Sequence, residues 1–404
     1  MKFRILSIVL LSLLFAACSQ KQVVFNVSNK SDIDLIAKSI KVKRADLEAK
    51  FGELKEQKMA YLVDQNGVKF AAQLDDTRGD GKWDMLFAQV DLKAGQTATF
   101  TIDWLADDLL TMKPLTNIRF AEKSDASKEL IRADRLKNSD TETTQTVFQF
   151  EGPGWENDVV GFRNYFDARN GIDIWGKTTS EMVLDGVGIE GAPSYHEIQD
   201  WGMDILKVGN SLGAGSIALQ SAGKLYQIGP GAEGTYKQIV EGPLRSVLEF
   251  KFDRINIEGR LISVSHRICI EAGKPFYKSM VNVDDAGDAK LVAGIVNLHS
   301  NDVYYIPSEN VSYFFTHDKQ AYNGEMLGMA IIVPNRQIEV FTAPEEGEGI
   351  TQTYYTTFDI SSQIEFFFMA GWELQDPKYA TFKGFEAELD KQAEQIAAKV
   401  EVVI

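Results

Sequence analysis

Three stretches decide the fold: Ser246-Val247-Leu248-Glu249-Phe250-Lys251-Phe252-Asp253-Arg254, Arg260-Leu261-Ile262-Ser263-Val264-Ser265-His266-Arg267-Ile268-Cys269-Ile270 and Phe276-Tyr277-Lys278-Ser279-Met280-Val281-Asn282-Val283. Apolar and polar side chains largely alternate in each, which places one set on either face of a pleated strand. The pattern extends outward through Val159–Asp167, Leu291–Leu298, Val303–Ile306, Gly328–Val333 and Gln337–Thr342, with turn residues between the runs. No helical spacer interrupts the sequence from Val147 to Ile364. A β run of this length without crossover helices predicts a large antiparallel two-sheet sandwich rather than an α/β fold.

The flanks read differently. Residues 18–107 hold shorter strands at Val23–Val27, Ala60–Val63, Val68–Leu74, Met85–Val90 and Thr97–Trp104, with helical spacing inside Ile40–Met59. Asp64-Gln65-Asn66-Gly67 and Lys93-Ala94-Gly95-Gln96 supply turn chemistry, so a small N-terminal β-sandwich is expected. Residues 108–145 are polar and charged and read as a linker, leaving 146–404 as the large sandwich. At the end, Phe382, Phe385, Leu389, Ala393, Ile396 and Val400 follow the three-to-four spacing of an amphipathic helix.

The chain has 404 residues, 42 Lys+Arg against 58 Asp+Glu, and a formal charge of −16. Phosphate backbones would be repelled over most of such a surface, which argues against nucleic acid as a partner. Two cysteines and four histidines exclude zinc-finger arrays, iron–sulfur clusters and a disulfide scaffold. Lys2 and Arg4 precede the apolar run Ile5–Ala17, which ends Phe15-Ala16-Ala17-Cys18. Thirteen residues fall short of the roughly 20 that a membrane-spanning helix needs, so residues 1–17 read as a secretion signal. The small-small-Cys ending resembles a bacterial lipobox. It predicts lipidation of Cys18 and an exported lipoprotein of the outer membrane, facing the periplasm or the cell surface, with the lipid as its membrane contact. Loss of Lys2 and Arg4 with the signal makes the body two charges more acidic than −16.

Several motifs bear on chemistry. Asp76, Asp80 and Asp84 space carboxylates as a calcium loop does, but Arg78 stands where a ligand belongs, so calcium is the one metal considered and no other cofactor is expected. Gly209-Asn210-Ser211-Leu212-Gly213 matches a nucleophile elbow, although Ala214–Gln220 is a poor helix start. Ile268-Cys269-Ile270 makes Cys269 a small buried hydrophobe, His266 reads as a core histidine, and His299 stays an open candidate. The densest polar and aromatic region runs from Gly154 to Gly215. Alternation puts Arg163, Tyr165 and Asp167 on one strand face, and Asp173, Trp175 and Lys177 on the next. Tyr195, His196, Asp200, Trp201, Asp204 and Lys207 follow within one short stretch. Aromatic faces beside paired polar groups suit a sugar.

The words Gly154-Trp155-Glu156-Asn157-Asp158, Phe166-Asp167-Ala168-Arg169-Asn170, Trp175-Gly176-Lys177, Tyr195-His196, Leu206-Lys207-Val208-Gly209 and Ser211-Leu212-Gly213-Ala214-Gly215 resemble the bacterial family named domain of unknown function 4861. Glu241-Gly242-Pro243-Leu244-Arg245 through Ser279 is similar to the galactose-mutarotase-like super-sandwich. The resemblance implies an exported protein in a setting of pectin and uronate breakdown. On that basis the expected function is a lyase or glycoside hydrolase acting on anionic, uronate-containing oligosaccharides. For elimination, Arg163 or Lys177 would neutralise the carboxylate, His196 would be the base, and Tyr165 or Tyr195 the acid. For hydrolysis, Asp167, Asp200 and Asp204 are the candidate carboxylates. Trp175, Tyr195, Trp201 and Lys207 would bind substrate. A non-catalytic sugar-binding lipoprotein and a serine esterase at Ser211 are the alternatives.

Overall fold

The computed structural model describes residues 22–57, 59–104, 112–135, 147–298 and 302–404. Residues 1–17, Cys18 and His299 lie outside these. Among the described residues no helix is long and apolar enough to cross a membrane.

The body is built on a nine-stranded antiparallel sheet in the order Arg132–Asp134, Glu233–Val240, Arg245–Ile257, Arg260–Glu271, Phe276–Asp284, Ile364–Trp372, Leu327–Pro334, Val311–Asp318 and Tyr304–Ile306. The three deciding stretches are neighbours at its centre, with Phe250 paired to His266 and His266 to Val281. Two five-stranded sheets face it. One runs Gly202–Asp204, Ile172–Lys177, Gly161–Asn164, Gly154–Asn157 and Thr116–Arg119. The other runs Lys224–Gln227, Ala214–Ser221, Lys290–Val296, Thr353–Asp359 and Phe341–Thr342.

Aromatic rings fill the space between the layers. Phe162 stands edge-on to Tyr277 at 4.8 Å, and Phe358 stacks on Phe366 at 6.0 Å. Tyr277 meets the polar cost of its burial by donating its hydroxyl to the Ala214 carbonyl at 2.6 Å. Burying one such ring stabilises the fold by about 2 kcal/mol, so the sandwich has ample driving force. The helix Phe382–Ala397 covers the outer face of the large sheet, as its spacing predicts, and Thr381 caps it by accepting from the Gly384 N–H. Gly328 makes room for it: a Cβ there would stand 2.3 Å from the Phe385 ring.

The smaller unit departs from the expected sandwich. Its strands form one curled sheet in the order Leu35–Lys43, Met85–Leu92, Lys69–Asp75, Met59–Asp64, Thr97–Trp104, Val24–Asn29 and Val400–Val403, around Phe25, Leu62, Leu86 and Phe100. The last four of these strand residues come from the chain's C-terminus, because the tail helix stops at Ala397 and Val400 and Val402 turn onto this core. The expected linker also supplies structure, since Thr116–Arg119 and Arg132–Asp134 are edge strands of the body.

A buried polar joint connects the two units. Gln73 accepts from the Leu244 and Arg245 N–H groups and donates to the Arg245 carbonyl. Arg245 Nε donates to Asp75 Oδ2 at 2.6 Å, and its guanidinium lies 4.6 Å over the Phe87 ring.

Candidate functional site

Strand register assembles a charged cluster on the face of the first five-stranded sheet that turns away from the nine-stranded one. Arg163 is paired directly with Asp173, and Trp175 with Asp204. Gly202 permits the last pairing, because it adopts φ +125° and a Cβ there would stand 1.8 Å from the Gly176 oxygen. Arg163 Nη2 donates to Asp173 Oδ2 at 2.8 Å, to Asp204 Oδ2 at 2.7 Å and to the Tyr165 hydroxyl at 2.9 Å. Tyr165 in turn donates to Asp173 at 2.6 Å. The rings of Tyr165, Trp175 and Tyr195 enclose the guanidinium at 4.7, 5.0 and 5.3 Å.

The segment from Val183 to Trp201 folds over this face and packs Leu184, Val187 and Tyr195 around Trp175 and Phe150. Three expected substrate contacts are thereby corrected. Arg163 is only 2% exposed and its charge is met by Asp173 and Asp204, so it offers nothing to an external carboxylate. Trp175 is wholly buried and presents no face to a sugar. Lys177 is buried against Glu156 Oε2 at 2.5 Å and the Asn157 carbonyl at 2.7 Å.

Burial also governs the titration of the cluster. It opposes the Arg163 charge, but Tyr165, Asp204 and Asp173 together hold the guanidinium protonated well above its ordinary range. Asp204 is pushed well above the usual carboxylate range by burial and by the neighbouring Asp173, against the pull of Arg163. Burial raises the Tyr165 phenol in the same way. Neither Asp173 nor Asp204 is free to flank a glycosidic bond as an exposed carboxylate.

What reaches solvent is His196. Its side chain is 51% exposed, and Nδ1 lies 3.5 Å from Asp204 Oδ2. Partial burial, then the nearby Arg163, lowers its pKa below the ordinary histidine value. The Tyr195 ring lies 4.5 Å away and the exposed Tyr322 ring 6.1 Å. Tyr322 arrives because its N–H donates to the Ile205 carbonyl, beside Asp204. An N–H at Nδ1 directed at Asp204 leaves Nε2 as an outward base, with two tyrosine rings beside the imidazole.

The remaining candidates are dispersed. Asp167 is bound by Arg169, whose guanidinium also lies 3.9 Å over the Tyr165 ring and pairs with Glu151. Asp200 and Lys207 are exposed, while Trp201 is half-buried and donates to Gln199. Asp76 accepts the N–H groups of Gly79, Asp80 and Gly81, and Arg78 pairs with Asp80 and Asp84. Among the described residues no group of three or more His, Cys, Asp or Glu is arranged to hold a metal ion.

Ser211 is no elbow nucleophile: its hydroxyl is buried, donates to the Val208 carbonyl at 2.6 Å, accepts from Gly213, and is followed by a strand. His266 is a core histidine bonded to Ser279, and burial pushes it down to about 3. Burial raises the Cys269 thiol to about 11, which keeps it inert. Asp173, Glu156 and Tyr322 are the site residues that sequence reasoning did not assign. Alternation marked the face of Asp173, but nothing local marks Tyr322, which comes from a distant turn.

No curated protein matches the chain. Solved structures that resemble it include two from Enterococcus faecalis. One is a protein in the glycosyl hydrolase family 38 from Enterococcus faecalis, with TM-score 0.45 and 10% identity over 95% of this chain and 48% of that one. The other is an alpha-mannosidase from Enterococcus faecalis V583, with TM-score 0.45 and 9% identity over 94% and 46%. The chain thus spans about half the length of either. The family described as Domain of unknown function (DUF4861) matches residues 27–402, nearly the whole chain, and the protein belongs to that family.

Proposed function

We propose that the protein is a carbohydrate-active enzyme that cleaves uronate-containing oligosaccharides by β-elimination, with His196 as the base. The observation that supports this reading is the half-exposed His196 ring, backed by buried Asp204 at 3.5 Å and bordered by Tyr195 and Tyr322. His196 Nε2 takes the C5 proton, the C4–O bond breaks, and the electron pair forms the C4–C5 double bond. A tyrosine hydroxyl, from Tyr195 or Tyr322, gives its proton to the leaving oxygen. Asp204 holds the imidazole in one tautomer and is a positioning residue. Arg163 and Lys177 being buried, and Arg169 being held by Asp167 and Glu151, the cation that meets the uronate carboxylate is the exposed Lys207. Elimination is favoured over hydrolysis because the carboxylates beside His196 are locked on Arg163.

In the same reading the chain is exported and tethered through a lipid on Cys18. Cys18→Ala would then release it from the membrane fraction.

The deciding experiment is incubation with pectin, ulvan and gum oligosaccharides. The expected result is the ultraviolet absorbance of an unsaturated uronate, lost in His196→Ala. New reducing ends without absorbance would replace elimination by hydrolysis. Binding without turnover, unchanged in His196→Ala, would make the protein a sugar-binding lipoprotein.

A further inference from the structure

Away from His196, four lysines of this acidic molecule line one cleft. A cleft of about 350 Å³ opens between the strand Leu35–Lys43 of the seven-stranded sheet, the strand Phe276–Asp284 of the body and the end of the C-terminal helix. Lys38, Lys41, Lys274 and Lys278 line it, with Glu271 and Glu365 as its acids. A second cleft of about 340 Å³ shares Lys274 and adds Lys378 and Lys391, which pair with its acids Asp376 and Glu388. Ammonium groups lining one small volume repel one another, as Lys274 and Lys278 repel Lys38.

The first cleft's two acids do not neutralise all of this charge. Glu365 is taken by Lys278 at 2.8 Å, and Glu271 accepts a hydrogen bond from Ser39. Lys38 donates to the Gln395 carbonyl in the helix's last turn. Lys274 makes a 3.5 Å contact to the Ile36 carbonyl and feels Glu271, Asp91 and Glu388 at longer range, but neither it nor Lys41 makes an ion pair among the described residues. Burial first, and then Lys274 and Lys278 against the pull of Glu271, push Lys38 down to about 8. The backbone at the mouth is strained as well. Ala37 sits at φ +46° where the strand bulges between Leu35 and Lys38, and bulges of this kind re-aim side chains at sites.

We propose that this cleft binds an oxyanion, the carboxylate, sulfate or phosphate group of a small ligand, between Lys41, Lys38 and Lys274. The anion supplies the negative charge that the cleft's own acids do not, and the N–H donors that these ammonium groups do not spend on backbone carbonyls match its oxygens. Two sources share this chemistry, a free inorganic ion and an acidic saccharide.

Calorimetric titration of the chain with inorganic phosphate and with trigalacturonate, against maltotriose at equal ionic strength, tests the site without requiring turnover. Binding of an anion but not of maltotriose is expected. It should weaken about tenfold or more in Lys41→Gln/Lys274→Gln and persist in Lys274→Arg. Trigalacturonate binding that exceeds phosphate binding, falls in the lysine variant and survives in His196→Ala would assign the site to the saccharide. Phosphate binding alone would assign it to a free ion. As a second measurement, sulfate should raise the Tm of the unmodified chain above that in chloride of equal ionic strength. Absence of anion binding, equal binding in the double glutamine variant, or no rise in Tm would overturn the proposal.

Discussion

Lys177 Nζ and Glu156 Oε2 lie 2.5 Å apart, and neither side chain reaches solvent. Glu156 Oε1 also accepts from the Val183 and Leu184 N–H groups at 2.7 and 2.8 Å and from Asn117. The pair therefore fastens the covering segment to the strand Ile172–Lys177 and binds no ligand. Burial lowers the Lys177 pKa against the pull of Glu156, as expected of an ammonium kept inside by one carboxylate. Glu156→Leu leaves that ammonium with one carbonyl and should cost about 3–5 kcal/mol. Lys177→Met leaves a carboxylate that still has N–H donors and should cost less. Denaturant titration of both variants checks the order, and an unchanged midpoint in Glu156→Leu would refute it.

The face on which this pair lies was legible in the sequence. Alternation grouped Arg163 with Tyr165 and Asp173 with Trp175 and Lys177, and the register Arg163 to Asp173 realises that grouping. Its burial was not legible, because the cover from Val183 to Trp201 has no periodicity that says where it packs. Charged residues on a strand face look alike whether they meet solvent or one another. The end of the chain failed for another reason. Val400 continues the helical spacing from Phe385, and four residues are too few to reveal a strand by alternation.

The depressed pKa of His196 fixes the direction of a pH profile. Burial and Arg163 disfavour the imidazolium, so the ring is neutral at pH 7 and able to accept a proton. Lowering the pH through the depressed value protonates it and removes the base. The acid limb of kcat/KM should therefore fall below the ordinary histidine pKa of about 6.5. His196→Ala should lower kcat by about a hundredfold or more. Asp204→Asn should change the limb's position as well as the rate, since it replaces the group facing Nδ1. A limb well above pH 7 would show that another group is the base.

The joint between the units makes a separate stability prediction. Asp75 is raised by burial against the pull of Arg245, and each depends on the other for compensation. Arg245→Met should cost about 3–5 kcal/mol by leaving a buried carboxylate unpaired. Gln73→Ala strips the acceptor from the Leu244 and Arg245 N–H groups and should cost about 1–3 kcal/mol. A double-mutant cycle on Asp75 and Arg245 measures the coupling. Additive losses would mean that the pair does not act as a unit.

Gly202 links strand pairing to the chemistry without touching a ligand. At φ +125°, with the Gly176 oxygen 1.8 Å from where a Cβ would stand, any side chain forces the strand Gly202–Asp204 off its neighbour. Asp204 then leaves Arg163 and no longer faces His196 Nδ1. Gly209 provides the control, since its φ of +56° also favours glycine but a Cβ there meets nothing within 4 Å. Gly209→Ala should cost about 1 kcal/mol and leave turnover intact. Gly202→Ala should reduce turnover as far as Asp204→Asn does, because both take the Asp204 carboxyl group away from His196 Nδ1. Crossing Gly202→Ala with Asp204→Asn separates placement from general damage. If placement is the whole effect, the double variant is no slower than either single one, and a further loss would show that the strand shift disturbs more than Asp204.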